Sequence, residues 1–207
     1  MRIHQPLNKI LNNETKVKVL RFLYSNDMEW SGRRIAREIQ ISPATCHKAL
    51  QELYSEGIVL LRNVGKTYLY QFNHDNYIAK ELLYPLFKKE ERLLKVISRL
   101  LRDEFSEKAK ERIVSIALFG SVEKREDRPE SDIDFLVLLK RIKDKEKIEK
   151  AFDNLNEKIM KLFGKIVSPY IESVSGFRKK YKQGLPVAKE IMQSHRLISG
   201  KSLRDVI

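Results

Sequence analysis

The sequence contains a single cysteine, Cys46, so no intramolecular disulfide can form. No stretch approaches the roughly 18 to 20 consecutive apolar residues of a membrane-spanning helix, and the first residues lack the apolar run of a signal peptide. The four histidines are scattered and none is spaced with Cys46 as a zinc ligand. From these absences we expect a cytoplasmic protein that makes no membrane contact and holds no zinc.

Acidic residues are scarce relative to basic ones. The 207 residues include 41 Lys and Arg against 28 Asp and Glu, which gives a formal charge of +13. Such an excess favours a polyanionic partner, either nucleic acid or nucleotide phosphate. The sequence also lacks a glycine-rich loop ending in Gly-Lys-Ser or Gly-Lys-Thr, which argues against a P-loop NTPase. The hydrophobic fraction of 42% is enough for a buried core in one or two domains.

Three amphipathic helices are predicted in the first part of the chain. The first covers residues 14–24, and the second follows Ser31, which is a plausible N-cap. The third starts at Ser42-Pro43, where serine can cap the helix and proline suits its first position. On this third helix the apolar stripe includes Cys46, which we interpret as a small core residue and not as a reactive thiol.

A β-hairpin is predicted directly after these helices. Residues 58–62 form one strand, and residues 67–72 form the other with aromatic side chains at alternate positions. Three helices followed by a hairpin resemble the winged helix-turn-helix DNA-binding regulators, and the resemblance covers roughly residues 8–74. It implies that the third helix enters the major groove of double-stranded DNA and that the hairpin is the wing.

The candidate DNA contacts are polar or cationic side chains on the outer face of the third helix and at the wing. They are Thr45, His47, Lys48, Gln51, Arg62 and Lys66. The alternative interpretation is a helical domain that binds protein and leaves these side chains solvated.

A helical connector is predicted for residues 76–111, interrupted by Pro85. Its apolar positions recur at intervals close to seven residues, from Leu86 to Phe105. Such a stripe packs either on the same chain or on a second copy as a dimer helix. A homodimer would match a palindromic DNA site.

The second half of the chain opens with a buried strand, residues 113–119, that breaks at Gly120-Ser121. A second strand follows at residues 131–139, and alternation along it places Asp132 and Asp134 on one face. Two neighbouring carboxylates repel each other unless a cation such as Mg²⁺ holds both ionised. The glycine permits close backbone approach, and the serine can donate a hydrogen bond to phosphate oxygens.

Glycine, serine, ten residues and then Asp-x-Asp before an apolar strand resemble the minimal nucleotidyltransferases of the DNA polymerase beta superfamily, over about residues 110–200. The resemblance implies that Gly120 and Ser121 hold a nucleoside triphosphate. It also implies that Asp132 and Asp134 are catalytic residues that bind Mg²⁺ or Mn²⁺.

A third carboxylate is usual in active members of this superfamily. The strand predicted for residues 165–174 carries only Glu172, and the segment that aligns with the superfamily's aspartate reads Ser168-Pro169-Tyr170. Glu172 is therefore the third catalytic candidate if the strand register brings it to the aspartates, and otherwise it is a surface glutamate. Helices predicted at residues 145–163 and 176–194 cover the sheet.

The sequence thus predicts an α+β protein with three segments. Residues 1–75 form a winged helix-turn-helix, residues 76–111 a helical connector, and residues 112–207 a nucleotidyltransferase-type mixed sheet with flanking helices. One function is metal-dependent transfer of a nucleoside monophosphate to a hydroxyl acceptor. In relatives of this type the acceptor is a tyrosine of a partner toxin or a small molecule, and the sequence does not choose among acceptors. The alternative is a transcription regulator whose second domain senses nucleotides or forms a dimer scaffold. A third interpretation, action on RNA, also stays open.

Overall fold

The computed structural model describes residues 3–207. It contains two compact units, Met1–Leu93 and Leu94–Ile207, which divide the predicted connector between them. Each unit combines helices with one sheet, so the predicted α+β class is confirmed. No helix within residues 3–207 has the length and apolar character needed to cross a bilayer.

The first unit has the element order of a winged helix-turn-helix. Its elements are α1 (Leu7–Ile10), α2 (Glu14–Ser25), β1 (Trp30–Ser31), α3 (Gly32–Glu38), α4 (Pro43–Ser55), β2 (Val59–Val64), β3 (Thr67–Phe72), a π-helical turn (Ala79–Leu83) and α5 (Tyr84–Glu90). The three strands are antiparallel in the order β1-β3-β2. The short strand β1 was not predicted, since two residues are too few to show a strand pattern.

The helix starts of this unit follow from its capping residues. The Ser42 hydroxyl accepts a hydrogen bond from the Thr45 backbone N–H, and Pro43 occupies the first turn of α4. Ser31 caps α3 in the same way. The stripe of α4 is buried as predicted, and burial raises the pKa of the Cys46 thiol to about 11, which suits a core residue.

The predicted connector contributes side chains to the cores of both units. Ala79, Leu83 and Phe87 are buried in the core of the first unit. Ile97, Leu101 and Phe105 are buried in a core of the second unit. Packing on the same chain is therefore confirmed for these positions, while Leu86 and Leu93 remain exposed.

The second unit is built on a four-stranded mixed sheet. Its elements are α6 (Leu93–Glu104), α7 (Glu107–Lys110), β4 (Ile113–Phe119), α8 (Gly120–Lys124), β5 (Ile133–Leu139), a 3₁₀ turn (Ile142–Asp144), α9 (Lys145–Phe163), β6 (Val167–Ser173), α10 (Val174–Lys182), α11 (Pro186–Gln193), β7 (Arg196–Gly200) and α12 (Leu203–Val206). The strand order is β6-β5-β4-β7, with β5 and β6 parallel and the other pairs antiparallel.

Both faces of this sheet are covered. Phe135 and Val137 point to the face where α9 packs, together with Phe152. Leu136 and Leu138 point to the opposite face, against residues of α10 and α11. A strand buried on both faces reads as a continuous apolar run, which explains the composition of β5.

The structure corrects two features of this unit. The helix predicted for residues 176–194 is two helices, because Gly184 adopts a left-handed φ of 76° and Pro186 starts α11. The strand β7 and helix α12 were not predicted. β7 completes the sheet at the edge of β4, and α12 buries Leu203 and Val206 in the core on one face of the sheet.

Candidate functional site

The Gly-Ser turn and the second aspartate lie next to each other at one end of the sheet. Phe119, the last residue of β4, pairs with Asp134 on β5, so the turn that follows reaches the Asp134 side chain. Gly120 has a φ of 76°, and a Cβ atom there would collide with Asp134 Oδ2. This position therefore requires glycine both for its backbone conformation and for the space that the carboxylate occupies.

The two aspartates differ in their surroundings. Asp132 is exposed and precedes β5 by one residue, so the prediction that it lies within the strand is wrong. Asp134 is partly buried, and this burial raises the pKa of its carboxyl above the usual range. The neighbouring charges of Asp132 and Glu190 raise the same pKa further. Negative charge is thus concentrated around Asp134, and of these neighbouring carboxylates Glu190 is paired with a cation, Lys124.

The donor set fits a divalent metal that is completed by a ligand. Hard carboxylate oxygens are the ligands that Mg²⁺ prefers, and it is usually bound by one or two carboxylates together with water and substrate phosphates. Within residues 3–207 no three His, Cys, Asp or Glu side chains form a metal-binding group. Asp132 and Asp134 by themselves would therefore supply only part of such a site.

Glu172 is not brought to these aspartates. In the parallel pairing of β5 and β6, Glu172 lies opposite Leu138, while Ser168 lies opposite Asp134. The Glu172 carboxylate instead receives hydrogen bonds from Lys180 Nζ at 2.7 Å and from the Ser173 backbone N–H at 2.8 Å. Burial tends to raise the pKa of Glu172, but these hydrogen bonds outweigh it and the net pKa is lowered. The register condition stated for Glu172 is therefore not met.

Glu190 is a carboxylate near the site that sequence reasoning missed. It lies on α11, and its charge contributes to the raised pKa of Asp134. Lys124 Nζ, at the end of α8, donates to Glu190 Oε1 at 2.5 Å, and this contact raises the pKa of Lys124. No sequence pattern indicates the pair, because 66 residues separate its members.

The predicted DNA contacts of the first unit lie on exposed surface. Thr45, His47, Lys48 and Gln51 are all exposed on α4, as its apolar stripe predicts. A cleft of about 710 Å³ brings His47 of α4 together with Lys66 of the wing. Apart from Ser31 of β1, the residues that line the cleft come from α3, α4 and the hairpin. The full set is Ser31, Gly32, Arg33, Pro43, His47, Lys66, Thr67, Tyr68 and Tyr70.

Arg62 differs from the other DNA candidates because it already has a partner. Its Nε donates to Glu29 Oε1 at 2.6 Å, and its terminal nitrogen contacts the second Glu29 oxygen. The hydrogen bond from Arg62 lowers the pKa of Glu29. Within residues 3–207, neither Lys48 nor Lys66 forms an ion pair. Among the candidate DNA contacts, the cations that have no ion-pair partner in this described part of the chain are therefore Lys48 on α4 and Lys66 at the wing tip.

The fold and this geometry define the class: a winged helix-turn-helix joined to a nucleotidyltransferase-type domain. Residues 98–198 match the family model described as the nucleotidyltransferase domain. The second unit is thus a domain of that family, as the Gly-Ser and Asp-x-Asp pattern predicted. A search of curated proteins finds no match to the chain.

Solved structures with similarity to the chain include two winged-helix proteins. The homodimeric winged helix-turn-helix DNA-binding domain from Mycobacterium bovis is 24% identical, covers 44% of this chain and 76% of its own, and has a TM-score of 0.34. HlyU from Vibrio cholerae is 22% identical, with 42% and 87% covered and a TM-score of 0.35.

A third similar structure is described as a toxin-antitoxin with AMP-PNP. It is 21% identical, covers 53% of this chain and 74% of its own, and has a TM-score of 0.35. The winged-helix assignment rests on the element order and strand pairing of the first unit.

Proposed function

We propose that this protein is a DNA-binding nucleotidyltransferase of the cytoplasm that transfers a nucleoside monophosphate from a nucleoside triphosphate to a hydroxyl acceptor. The observation that carries the proposal is the contact between the Gly120 turn and the Asp134 carboxylate, in a domain of the nucleotidyltransferase family. Pyrophosphate is the leaving group of this reaction. The acceptor is left open between a protein side chain, a small molecule and a nucleic acid.

The chain's own residues have distinct parts in this proposal. The backbone and hydroxyl of Ser121 donate to phosphate oxygens, and Gly120 lets the phosphates approach β4 and β5 closely. Asp132 and Asp134 would hold Mg²⁺ or Mn²⁺, which supplies charge neutralisation at the phosphates when bound. The raised pKa of Asp134 supports this assignment, because a cation bound there would relieve the repulsion from Asp132 and Glu190.

The first unit supplies binding to double-stranded DNA in this proposal. Lys48 on α4 and Lys66 at the wing are exposed cations that form no ion pair with any of residues 3–207, and His47 and Lys66 share one cleft. Such cations attract DNA phosphates and release condensed counterions on binding. Thr45 and Gln51 are placed on the same exposed helix face to reach base edges.

The transfer reaction is tested with purified full-length protein, labelled nucleoside triphosphates, Mg²⁺ or Mn²⁺ and candidate acceptors. We expect the rate of label transfer to fall by more than about 100-fold in the Asp132→Asn/Asp134→Asn double variant. Loss of a residue that only hydrogen-bonds a metal ligand lowers metal affinity or activity by about 10- to 100-fold, and loss of the ligands themselves should cost more. Asp153→Asn, on the exposed face of α9, is the matched control and should transfer normally. Equal transfer by the double variant would refute the metal assignment.

A second candidate function is nucleotide sensing by the same domain without turnover. The observation that favours it is that no carboxylate of β6 lies opposite Asp134. Glu172 is ion-paired with Lys180 instead, and the residue opposite Asp134 is Ser168. A sensor would bind nucleotide with metal, change its DNA affinity and transfer nothing to any acceptor. Nucleotide-dependent DNA binding in the absence of transfer would therefore select this candidate over the first.

A further inference from the structure

A second polar cleft lies at the opposite end of the sheet from Asp134. It has a volume of about 520 Å³ and is lined by Lys108, Glu111, Arg112, Lys140, Arg141 and Asp144. Arg112 directly precedes β4, and Lys140 directly follows β5. Since each strand residue adds about 3.3 Å, the length of β5 separates this cleft from Asp134 by about 20 Å. The cleft is thus independent of the proposed transfer site.

The cleft contains a buried carboxylate that is incompletely bonded. The Asp144 side chain is only 9% exposed. Arg112 Nε lies 3.5 Å from Oδ1 and Arg141 Nε lies 3.8 Å from Oδ2, too far for strong hydrogen bonds. Among the described residues 3–207, Asp144 Oδ2 has no hydrogen-bond donor. A buried acceptor without a donor is costly, so this oxygen is suited to a donor from a ligand.

The same cleft also attracts anions. Lys108, Arg112, Lys140 and Arg141 outnumber the two carboxylates of the lining. The 19-residue helix α9 begins beside Asp144, whose side chain makes no capping hydrogen bond to the first turn. The N–H groups at a helix start favour negative charge. A ligand that satisfies the cleft therefore combines an anionic group with a nearby hydrogen-bond donor.

We propose that this cleft binds a ribose phosphate, presented either by an RNA strand or by a free ribonucleotide. In a ribose phosphate, the 2′-hydroxyl is a donor within a few bonds of a phosphate, which matches the orphaned Asp144 oxygen and the surrounding cations. Deoxyribose lacks this hydroxyl and leaves Asp144 Oδ2 without a donor. The proposal concerns a site separate from the Asp132 and Asp134 site and does not depend on nucleotidyl transfer.

The test measures binding of a short fluorescein-labelled oligouridylate to the full chain by anisotropy. An oligodeoxyuridylate of equal length is the matched probe, since it differs only by the 2′-hydroxyl. Excess unlabelled duplex DNA occupies the α4 surface, and EDTA prevents metal-dependent nucleotide binding at Asp132 and Asp134. We expect the wild type to bind the ribose probe roughly tenfold more tightly, as one hydrogen bond to a charged group allows.

Variants of the cleft separate its charge from its donor recognition. Arg141→Ala should weaken binding of both probes by roughly threefold or more, because one phosphate contact is lost. Lys143→Ala, in the same turn but outside the lining, is the matched control and should not weaken binding. Asp144→Leu, which removes both acceptor oxygens, should bring the ribose preference close to one, with folding verified by its melting curve.

The outcomes distinguish the two sources of ribose phosphate and can overturn the proposal. Binding of UMP but not dUMP, without a strand preference, assigns the cleft to a free ribonucleotide. A ribose preference for the strand that exceeds that for UMP assigns it to RNA. The proposal is overturned if the wild type binds ribose and deoxyribose probes equally, if neither binds, or if Arg141→Ala behaves like Lys143→Ala.

Discussion

Asp134 and Glu172 are carboxylates on the same face of neighbouring parallel strands, yet their pKa values are shifted in opposite directions. Asp134 lies at the Gly120 turn among other negative charges, and burial with those charges raises its pKa. Glu172 lies further along, where Lys180 and Ser173 donate to it and lower its pKa despite burial. The difference indicates that the surroundings of a charge, and not its residue type, separate a candidate ligand site from a structural ion pair.

Cations of the first unit also differ in whether they have an ion-pair partner. Arg62 is held by Glu29 through two contacts, whereas Lys48 and Lys66 have no ion-pair partner within the described part of the chain, residues 3–207. A charge without a partner is available to a ligand. A charge with a partner must first be released from it, which reduces its net contribution to binding.

Among the variants that test the contrast between Asp134 and Glu172, we expect the largest change in stability from Asp134→Asn. The raised pKa of Asp134 means that its carboxyl favours folding when protonated. That contribution is fully present below the ordinary value of 3.8 and is lost as pH rises through the raised pKa. The asparagine variant does not lose it. At pH 7 in EDTA we therefore expect a higher melting temperature for Asp134→Asn than for the wild type.

The measurement is a series of melting curves from pH 4 to pH 7. The stability gap between the variant and the wild type should widen as pH rises, and added Mg²⁺ should stabilise only the wild type. Asp153→Asn is the control and should show no widening gap. A less stable Asp134→Asn at pH 7 in EDTA would show that Asp134 is a structural carboxylate like Glu172.

Glu172→Gln should have the opposite sign. The lowered pKa of Glu172 gives stability that is present above its ordinary value of 4.5 and lost as pH falls through the lowered pKa. At pH 7 we expect a loss of about 1 kcal/mol in the free energy of unfolding, because a charged hydrogen bond is removed while Lys180 stays partly solvated. Nucleotidyl transfer should be retained.

Urea unfolding at pH 7 and pH 4 checks this expectation, with Glu130→Gln in the exposed loop before β5 as the control. The difference between Glu172→Gln and the wild type should shrink at the lower pH. A variant that keeps wild-type stability but loses transfer would instead place Glu172 in the catalytic machinery.

The sequence allowed the elements to be predicted where local signals are strong. The strand 113–119 and the helix 145–163 match the structure because a long apolar run and a sustained helical period mark them. The positions of the Gly120 turn and of Asp134 were predictable because the turn directly follows the strand 113–119 and Asp134 lies at the start of the next apolar strand. The start of α4 was predictable because Ser42 and Pro43 combine two independent signals.

The remaining features depend on contacts between distant parts of the chain. β7 exists because β4 offers it an edge, where Leu118 pairs with Arg196. The register that separates Glu172 from Asp134 is set by how β6 packs beside β5, which residue spacing alone does not determine. Likewise, no local pattern predicts that Lys124 binds Glu190.

The smallest effects are expected on the DNA surface, where the paired and unpaired cations can be compared directly. Lys48→Ala should weaken binding to duplex DNA by roughly threefold to tenfold and lower the salt-dependence slope by about one, because one phosphate contact is lost. Arg62→Ala should weaken it less, because Glu29 already neutralises that guanidinium.

Glu29→Ala should strengthen binding by a few-fold at most, since it frees Arg62 and removes a negative charge. Anisotropy titrations at several salt concentrations measure all three, and Asp75→Ala, at an exposed acidic residue after the hairpin, serves as the acidic control. The expectation is contradicted if Glu29→Ala weakens binding and Arg62→Ala weakens it as much as Lys48→Ala does. In that case the Arg62–Glu29 pair itself positions the wing on DNA, and the absence of an ion-pair partner does not determine which cations of this surface bind DNA.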